Sequence, residues 1–109
     1  MQAIETNMEN WSGKDMTVHI HEREGDTQDF EVLGNTFRAK YLFIEDEDLP
    51  DYSCHVWYVY ELGDVDMEHC VMESTMFESD DAFTARSGDC MRHHAHPLVA
   101  AAKVLANTY

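Results

Sequence analysis

The sequence SCHVWYVYELGDVDMEHCVMESTMF, residues 53–77, predicts two β-strands joined by a tight turn at Gly63-Asp64. Apolar and polar residues alternate on both sides of this turn, which is the pattern of a strand with one buried face. A glycine at the first position of a two-residue loop suits a β-hairpin. The register that follows gives the predicted core face four pairs: Leu62 with Val65, Tyr60 with Met67, Tyr58 with His69, and Val56 with Val71.

Three earlier segments alternate in the same way and predict strands at Met16–Arg23, Gln28–Leu33 and Thr36–Ile44. Register on a half-buried sheet follows the apolar pattern, so we expect a three-residue loop at 25–27 that places Ile20 opposite Val32. A two-residue loop at Gly34-Asn35 is expected to join the next pair of strands.

The ends of the chain predict helices. Pro97 suits the first position of a helix, and the Ala-rich segment that follows predicts a C-terminal helix with a buried stripe of Leu98, Ala101, Ala102 and Leu105. Ser79 to Arg86 predicts a short helical turn. Apolar residues at helical spacing in residues 2–10 predict a short N-terminal helix, with an unstructured terminus as the alternative.

The sequence therefore predicts an α+β fold: a five-stranded antiparallel meander with the C-terminal helix packed on one face. We expect one domain over residues 1–109, since 44% of the residues are hydrophobic and the chain is long enough to bury a core. Three cysteines without framework spacing and the lack of a signal-peptide pattern favour a cytoplasmic protein, in a host cytoplasm if it is phage-encoded. No apolar run approaches the roughly 20 residues that cross a bilayer.

The charge of this chain is far from balanced, with 22 Asp and Glu against 7 Lys and Arg and a formal net charge of -15. Such a surface repels nucleic acid and anionic membranes and attracts basic surfaces. No Lys or Arg occurs between Lys40 and Arg86, whereas ordinary surfaces intersperse both signs. The predicted register also sets Glu61 opposite Asp66, and like charges in that position destabilise a sheet. We therefore interpret these acids as functional.

The acids predict a docking face for a basic groove, with Trp57 as an apolar contact. A groove built for nucleic acid gains affinity by neutralising phosphates, and a rigid array of carboxylates can occupy the same basic side chains. The partner is thus expected to be a basic, nucleic-acid-binding protein. The predicted partner-binding residues are Glu45, Asp46, Glu47, Asp48, Asp51, Trp57, Glu61, Asp64, Asp66, Glu68 and Glu73.

In size, charge and predicted architecture the chain resembles small acidic inhibitors of phages and other mobile elements, including anti-CRISPR and anti-restriction proteins. The resemblance implies a non-catalytic inhibitor that mimics DNA. Two alternatives stay open at this point: an acidic surface adapted to a high-salt cytoplasm, and a homodimer.

The segment Cys90–His96 holds the densest group of soft metal ligands. Zinc takes Cys and His, so Cys90, His93 and His96 are the candidate ligands of an alternative, a metal-binding or small hydrolytic domain. Strong zinc signatures contain two ligand pairs, and this segment contains one. The favoured interpretation is a polar loop that leads into the last helix, and we expect no cofactor.

No arrangement of catalytic residues stands out by its spacing. There is no recognisable Ser-His-Asp, Cys-His or paired-carboxylate pattern, and the five glycines are isolated rather than grouped in a phosphate-binding loop. Direct nucleic-acid binding requires a basic patch, which this chain lacks. We therefore expect a binding protein and not an enzyme.

Overall fold

The computed structural model describes residues 2–7, 15–22, 25–62 and 70–108. In these residues, one antiparallel sheet pairs each strand with the next along the chain. The strands are β1 (Gln2–Asn7), β2 (Asp15–Glu22), β3 (Thr27–Val32), β4 (Asn35–Ile44), β5 (Cys54–Glu61), β6 (Met72–Phe77), β7 (Phe83–Ser87) and β8 (Cys90–His94). A turn of 3-10 helix, Pro50–Tyr52, precedes β5, and the helix α1, Pro97–Thr108, follows β8. Over this part of the chain, no helix is both long enough and apolar enough to cross a membrane.

The α+β class and the C-terminal helix are confirmed, whereas the predicted number of five strands is wrong. The helical turn expected from Ser79 to Arg86 overlaps β7, and the polar loop expected at Cys90–His96 contains β8. Both strands are five residues long, so each shows too few alternations for the sequence pattern to be clear. Pairing with neighbouring strands, rather than local propensity, makes these segments extended.

The predicted N-terminal helix is also wrong, because residues 2–7 form β1. This strand pairs antiparallel with β2 from Gln2 opposite Ile20 to Asn7 opposite Asp15. A helix of this length is marginal in water, whereas pairing with β2 satisfies backbone groups that an open strand edge would leave unpaired.

The core lies between α1 and one face of the sheet, which we call the helix face; the opposite face is the outer face. Strand partners on the helix face include Ile20 with Phe30 and Phe30 with Phe37. Their side chains are no more than 1% exposed. The buried apolar residues of this face are Val18, Ile20, Phe30, Val32, Phe37, Ala39, Val59, Met72, Phe83 and Ala85.

Helix α1 is buried on almost all sides. The predicted stripe of Leu98, Ala101, Ala102 and Leu105 is confirmed as buried, and Val99, Ala100, Val104 and Ala106 are buried as well. A helix that is apolar all round belongs inside a core, and α1 contacts five strands, β3 and β5 to β8. The fully buried Ser74 donates its hydroxyl to the carbonyl of Pro97 at 2.8 Å, which fastens the start of the helix to β6.

Two predicted turns are displaced, although the faces of their strands are correct. Between β2 and β3 the last pair is Glu22 with Gln28, so Ile20 lies opposite Phe30 and not Val32. The turn between β3 and β4 is at Leu33-Gly34. Both residues have positive φ angles, 50° and 79°, as a type I′ hairpin turn requires. Each register differs from the expected one by two residues, which keeps every side chain on the same face.

The hairpin register and the core face predicted for β5 are wrong. Val59 lies opposite Met72, where Glu68 was expected, and the predicted turn residues Gly63-Asp64 lie outside the described residues. Val59 rather than Tyr58 faces the helix, because Ala39 and Ala85 on this face are small and leave room for α1. The bulky tyrosines of β5 consequently lie on the outer face.

Candidate functional site: an acidic end of the sheet

Two acidic segments lie side by side at one end of the sheet. Ile44 and Phe77 both flank Cys54 in the strand pairing, so the loop 45–53 and the turn 78–82 leave the sheet at the same end. The Glu78 N–H donates to the Ser53 carbonyl at 2.9 Å and joins the two segments. We call their carboxylates the acidic end: Glu45, Asp46, Glu47, Asp48, Asp51, Glu78, Asp80 and Asp81.

Asp46 and Ser53 give the loop 45–53 its shape. The Asp46 carboxylate accepts the N–H groups of Asp48 and Leu49 at 3.1 and 3.0 Å, a turn that aspartate forms readily with its own backbone. The Asp46 N–H donates to the Ser53 hydroxyl at 2.9 Å. Because the loop is held by its own hydrogen bonds, the side chains of Glu45, Glu47, Asp48 and Asp51 can all remain exposed.

Neither acidic segment contains Lys or Arg, and the arginine of β4 lies towards the other end of the sheet and is paired there. Arg38, on β4, donates from Nε and a terminal nitrogen to the two carboxylate oxygens of Asp29 at 2.8 and 3.3 Å. This hydrogen bonding raises the pKa of Arg38 above its usual value. The pair lies on the outer face of β3 and β4, where Asp29 is only 7% exposed, so Arg38 does not neutralise the acidic end.

A row of rings on the helix face runs beside the acidic end. The Tyr41 ring centroid lies 5.8 Å from that of His55 and 5.3 Å from that of Trp57, and Phe43 lies 5.0 Å from His55. The Tyr41 hydroxyl is 2.5 Å from His55 Nδ1, and His55 Nε2 is 2.7 Å from Glu78 Oε1. The imidazole tautomer that carries its proton on Nε2 accepts from the Tyr41 hydroxyl and donates to Glu78. Burial, and then nearby carboxylates, raise the pKa of Tyr41.

Comparison of the chain with protein-family models, with curated proteins and with solved structures gave no match. The function is therefore inferred from the residues and their geometry.

The structure assembles only part of the predicted docking face. The five loop acids Glu45, Asp46, Glu47, Asp48 and Asp51 come together at the acidic end. Trp57 is half-buried on the helix face and packs against the core. Glu61 lies at the opposite end of β5, and Glu73 is on the outer face opposite Arg86. Asp64, Asp66 and Glu68 lie outside the described residues. The predicted pairing of Glu61 with Asp66 followed from the hairpin register in which Val59 faces Glu68, and that register is wrong.

The candidate metal ligands Cys90, His93 and His96 are not brought together. Cys90 accepts a hydrogen bond from Asn107 near the end of α1, at 3.4 Å, while His96 directly precedes the start of that helix. His93 lies on the outer face with its Nδ1 at 2.9 Å from the Thr84 hydroxyl. Within the described residues, no group of three or more His, Cys, Asp or Glu side chains is placed to hold a metal ion, and all three cysteines are free.

His96 has a structural role as the cap of α1. Its Nδ1 accepts the N–H of Leu98 at 3.2 Å, and its own N–H donates to His94 Nδ1 at 2.9 Å. Burial is the main cause that lowers the pKa of both imidazoles below the usual value, and proximity to His94 adds to the effect at His96. Protonation of His96 would remove the acceptor and place a positive charge at the positive end of the helix dipole.

We expect the replacement His96→Asn to flatten the dependence of stability on pH. A histidine whose pKa is lower in the folded state than in the unfolded state favours folding above the unfolded value, about 6.5, and this contribution is lost as the pH falls through the folded value. Asparagine caps helices without titrating, whereas His96→Ala removes the cap and should cost about 1 kcal/mol at pH 7.5. Urea unfolding between pH 7.5 and 5 measures both effects. Parallel pH profiles for the wild type and His96→Asn would contradict this assignment.

The contacts of Tyr41, His55 and Glu78 were not predicted from the sequence. Tyr41 and His55 are on different strands, and Glu78 follows a third strand, so their proximity depends on two registers. The alternation in β4 and β5 does place Tyr41 and His55 on definite faces. The register between β4 and β5, which pairs Ile44 with Cys54, would have been enough to bring Tyr41 close to His55.

Proposed function

We propose that the protein is a non-catalytic binding protein whose acidic end occupies a basic groove of a nucleic-acid-binding protein and blocks it. The observation that carries this proposal is the gathering of eight carboxylates from two short segments, neither of which contains Lys or Arg. Like charges held together repel one another and destabilise the folded state. Contact with a cationic groove converts that repulsion into attraction.

The rigidity of the acidic end supports docking rather than simple solvation. The loop 45–53 is fixed by Asp46 and Ser53, and Glu78 is held by His55 and by the Ser53 carbonyl. A carboxylate array that is already ordered loses less conformational entropy on binding. An acidic surface that served only solubility would not require such an arrangement.

The chemistry of the surface identifies the class of partner. Grooves that bind nucleic acid carry Lys and Arg in positions that neutralise phosphates, and a fixed set of carboxylates can meet the same groups. Opposite charge on the two proteins would also steer and accelerate their association. The role of an inhibitor that mimics DNA, such as those carried by phages, is part of this proposal and is supported by the size and charge of the chain.

The proposal is tested by competition with nucleic acid. The immobilised protein is exposed to a cell lysate, and the captured protein is identified, purified and rebound in the presence of increasing duplex DNA or RNA. We expect the duplex to displace it and the affinity to fall steeply with added salt. A captured protein that resists both the duplex and salt would overturn the proposal.

A further inference from the structure

Large apolar side chains are exposed on the outer face at the acidic end. Leu42, Ile44 and Phe77 are 51%, 44% and 41% exposed. Ile44 and Phe77 flank Cys54 on adjacent strands, and Leu42 flanks Val56. Cys54 and Val56 are themselves buried, at 8% and 3% exposure, so the exposed apolar surface here comes from Leu42, Ile44 and Phe77 on the two strands that flank them. We call it the apolar patch.

Carboxylates border this patch on the side of the acidic end. The Asp80 carboxylate accepts the N–H of Phe77 at 3.3 Å and lines the same groove as Phe77, and Glu45 directly follows Ile44. The loop adds Leu49 and Tyr52, which are 56% and 62% exposed. An apolar centre with a charged rim is the usual anatomy of a protein–protein interface, and contiguous exposed apolar surface marks such sites.

The patch continues into a groove along the outer face of β6, β7 and β8. The groove has a volume of ≈ 810 Å³, and Phe77 shares its lining with Thr75, Thr84 and Met91. Glu73 and Arg86 lie across from each other within it. The patch and the groove together offer an elongated surface that suits a peptide segment better than a compact small molecule.

We infer that the apolar patch docks an amphipathic basic segment of a partner protein. Apolar residues of that segment pack on Leu42, Ile44 and Phe77, while its flanking Lys and Arg residues meet the acidic end. This inference rests on the proposed function and adds the contact face and the chemistry of the partner segment. A partner protein whose binding groove carried only phosphate-binding charges would leave the apolar patch without an apolar contact.

The charge of the rim excludes other occupants. A second copy would bring its own acidic end against this one, and like charges facing each other across an interface oppose association. Anionic lipid and nucleic acid are repelled for the same reason. An amphipathic segment that carries Lys or Arg satisfies both the apolar and the charged parts of the surface.

Two synthetic helical peptides test the inference. The first has 18 residues, with leucines along one face and lysines elsewhere; in the second, each leucine is alanine, which keeps the charge and the helix propensity. We expect the leucine peptide to bind at least about tenfold more tightly at 150 mM salt, a difference of roughly 1.4 kcal/mol. The double variant Ile44→Ser with Phe77→Ser should reduce that ratio to near one and leave the salt dependence of both peptides unchanged. Isothermal titration calorimetry measures each affinity.

A matched double variant separates the patch from exposed apolar surface in general. Leu33 and Phe43 are also exposed, at 55% and 42%. Leu33 lies in the turn between β3 and β4 and Phe43 is on the helix face, outside both the patch and the groove, so Leu33→Ser with Phe43→Ser should leave the ratio intact. If Ile44→Ser with Phe77→Ser does not change the ratio of the two peptide affinities, this inference is overturned but the proposed function is not. The proposed function fails if neither peptide binds in a salt-dependent way. Sedimentation analysis gives a further outcome. If the wild type is a dimer and Ile44→Ser with Phe77→Ser is a monomer, the patch binds a second copy and the inference is overturned.

Discussion

The double variant Glu47→Lys with Asp48→Lys should weaken binding to a basic probe by at least about 30-fold. Both side chains are exposed in the loop 45–53, and the hydrogen bonds that Asp46 accepts come from the backbone N–H groups of Asp48 and Leu49, not from these side chains. A close pair of opposite charges attracts by about 1 kcal/mol even in water-like surroundings, and a charge reversal removes that attraction and adds a repulsion. The two lost attractions alone give about 2 kcal/mol, which is roughly 30-fold in affinity. Calorimetry with decalysine at 50 mM salt measures the loss.

The control for this prediction changes the net charge equally at other positions. Glu31→Lys with Asp89→Lys also removes two acids and adds two bases, but Glu31 is on β3 and Asp89 is in the turn between β7 and β8. This variant should keep most of the affinity for decalysine. Equal losses for the two double variants would show that only the net charge matters, and the acidic end would then have no special role.

Phe30→Ala should destabilise the fold by about 3–5 kcal/mol, the usual cost of truncating a buried aromatic ring. Phe30 is 0% exposed, and its ring stacks on that of Phe37 with centroids 5.5 Å apart. It also lies opposite Ile20, so it joins β2, β3 and β4 in the core. Small domains have only about 5–15 kcal/mol of stability, so this variant should lose a large fraction of the total. Denaturant unfolding at pH 7.5 gives the value.

Phe77→Ala is the matched control, because it removes the same atoms from a side chain that is 41% exposed. Exposed positions usually change stability by no more than about 0.5 kcal/mol. A loss at Phe77 as large as that at Phe30 would mean that the outer face is covered in the folded protein, and the assignment of the core to the helix face would be wrong.

The alternation of apolar residues was sufficient to predict much of the sheet, because a strand that buries one face has a period of two. It correctly identified β2 to β5 and the faces of Ile20, Phe30 and Phe37. Pro97 and the Ala-rich segment after it likewise predicted α1. Short strands were missed because five residues show too few alternations, and turns were displaced because several loop lengths preserve the same faces.

The candidate site could be predicted only where its residues are close together in the sequence. The acids of the loop 45–53 follow one another in sequence, so their grouping needed no tertiary information. The apolar patch depends on the registers of β4, β5 and β6, and the sequence favoured the wrong one between β5 and β6. The face of β5 was misassigned for a further reason: Ala39 and Ala85, which make room for the helix, come from other strands.

The position of α1 after all eight described strands has a consequence during synthesis on the ribosome. The strands can pair with their neighbours as they emerge, since every pairing is between consecutive elements. The apolar side chains that α1 covers, however, stay in contact with water or with chaperones until the last described segment has left the exit tunnel. Native packing is therefore completed only after α1 has emerged, and the nascent chain carries an open, aggregation-prone sheet until then.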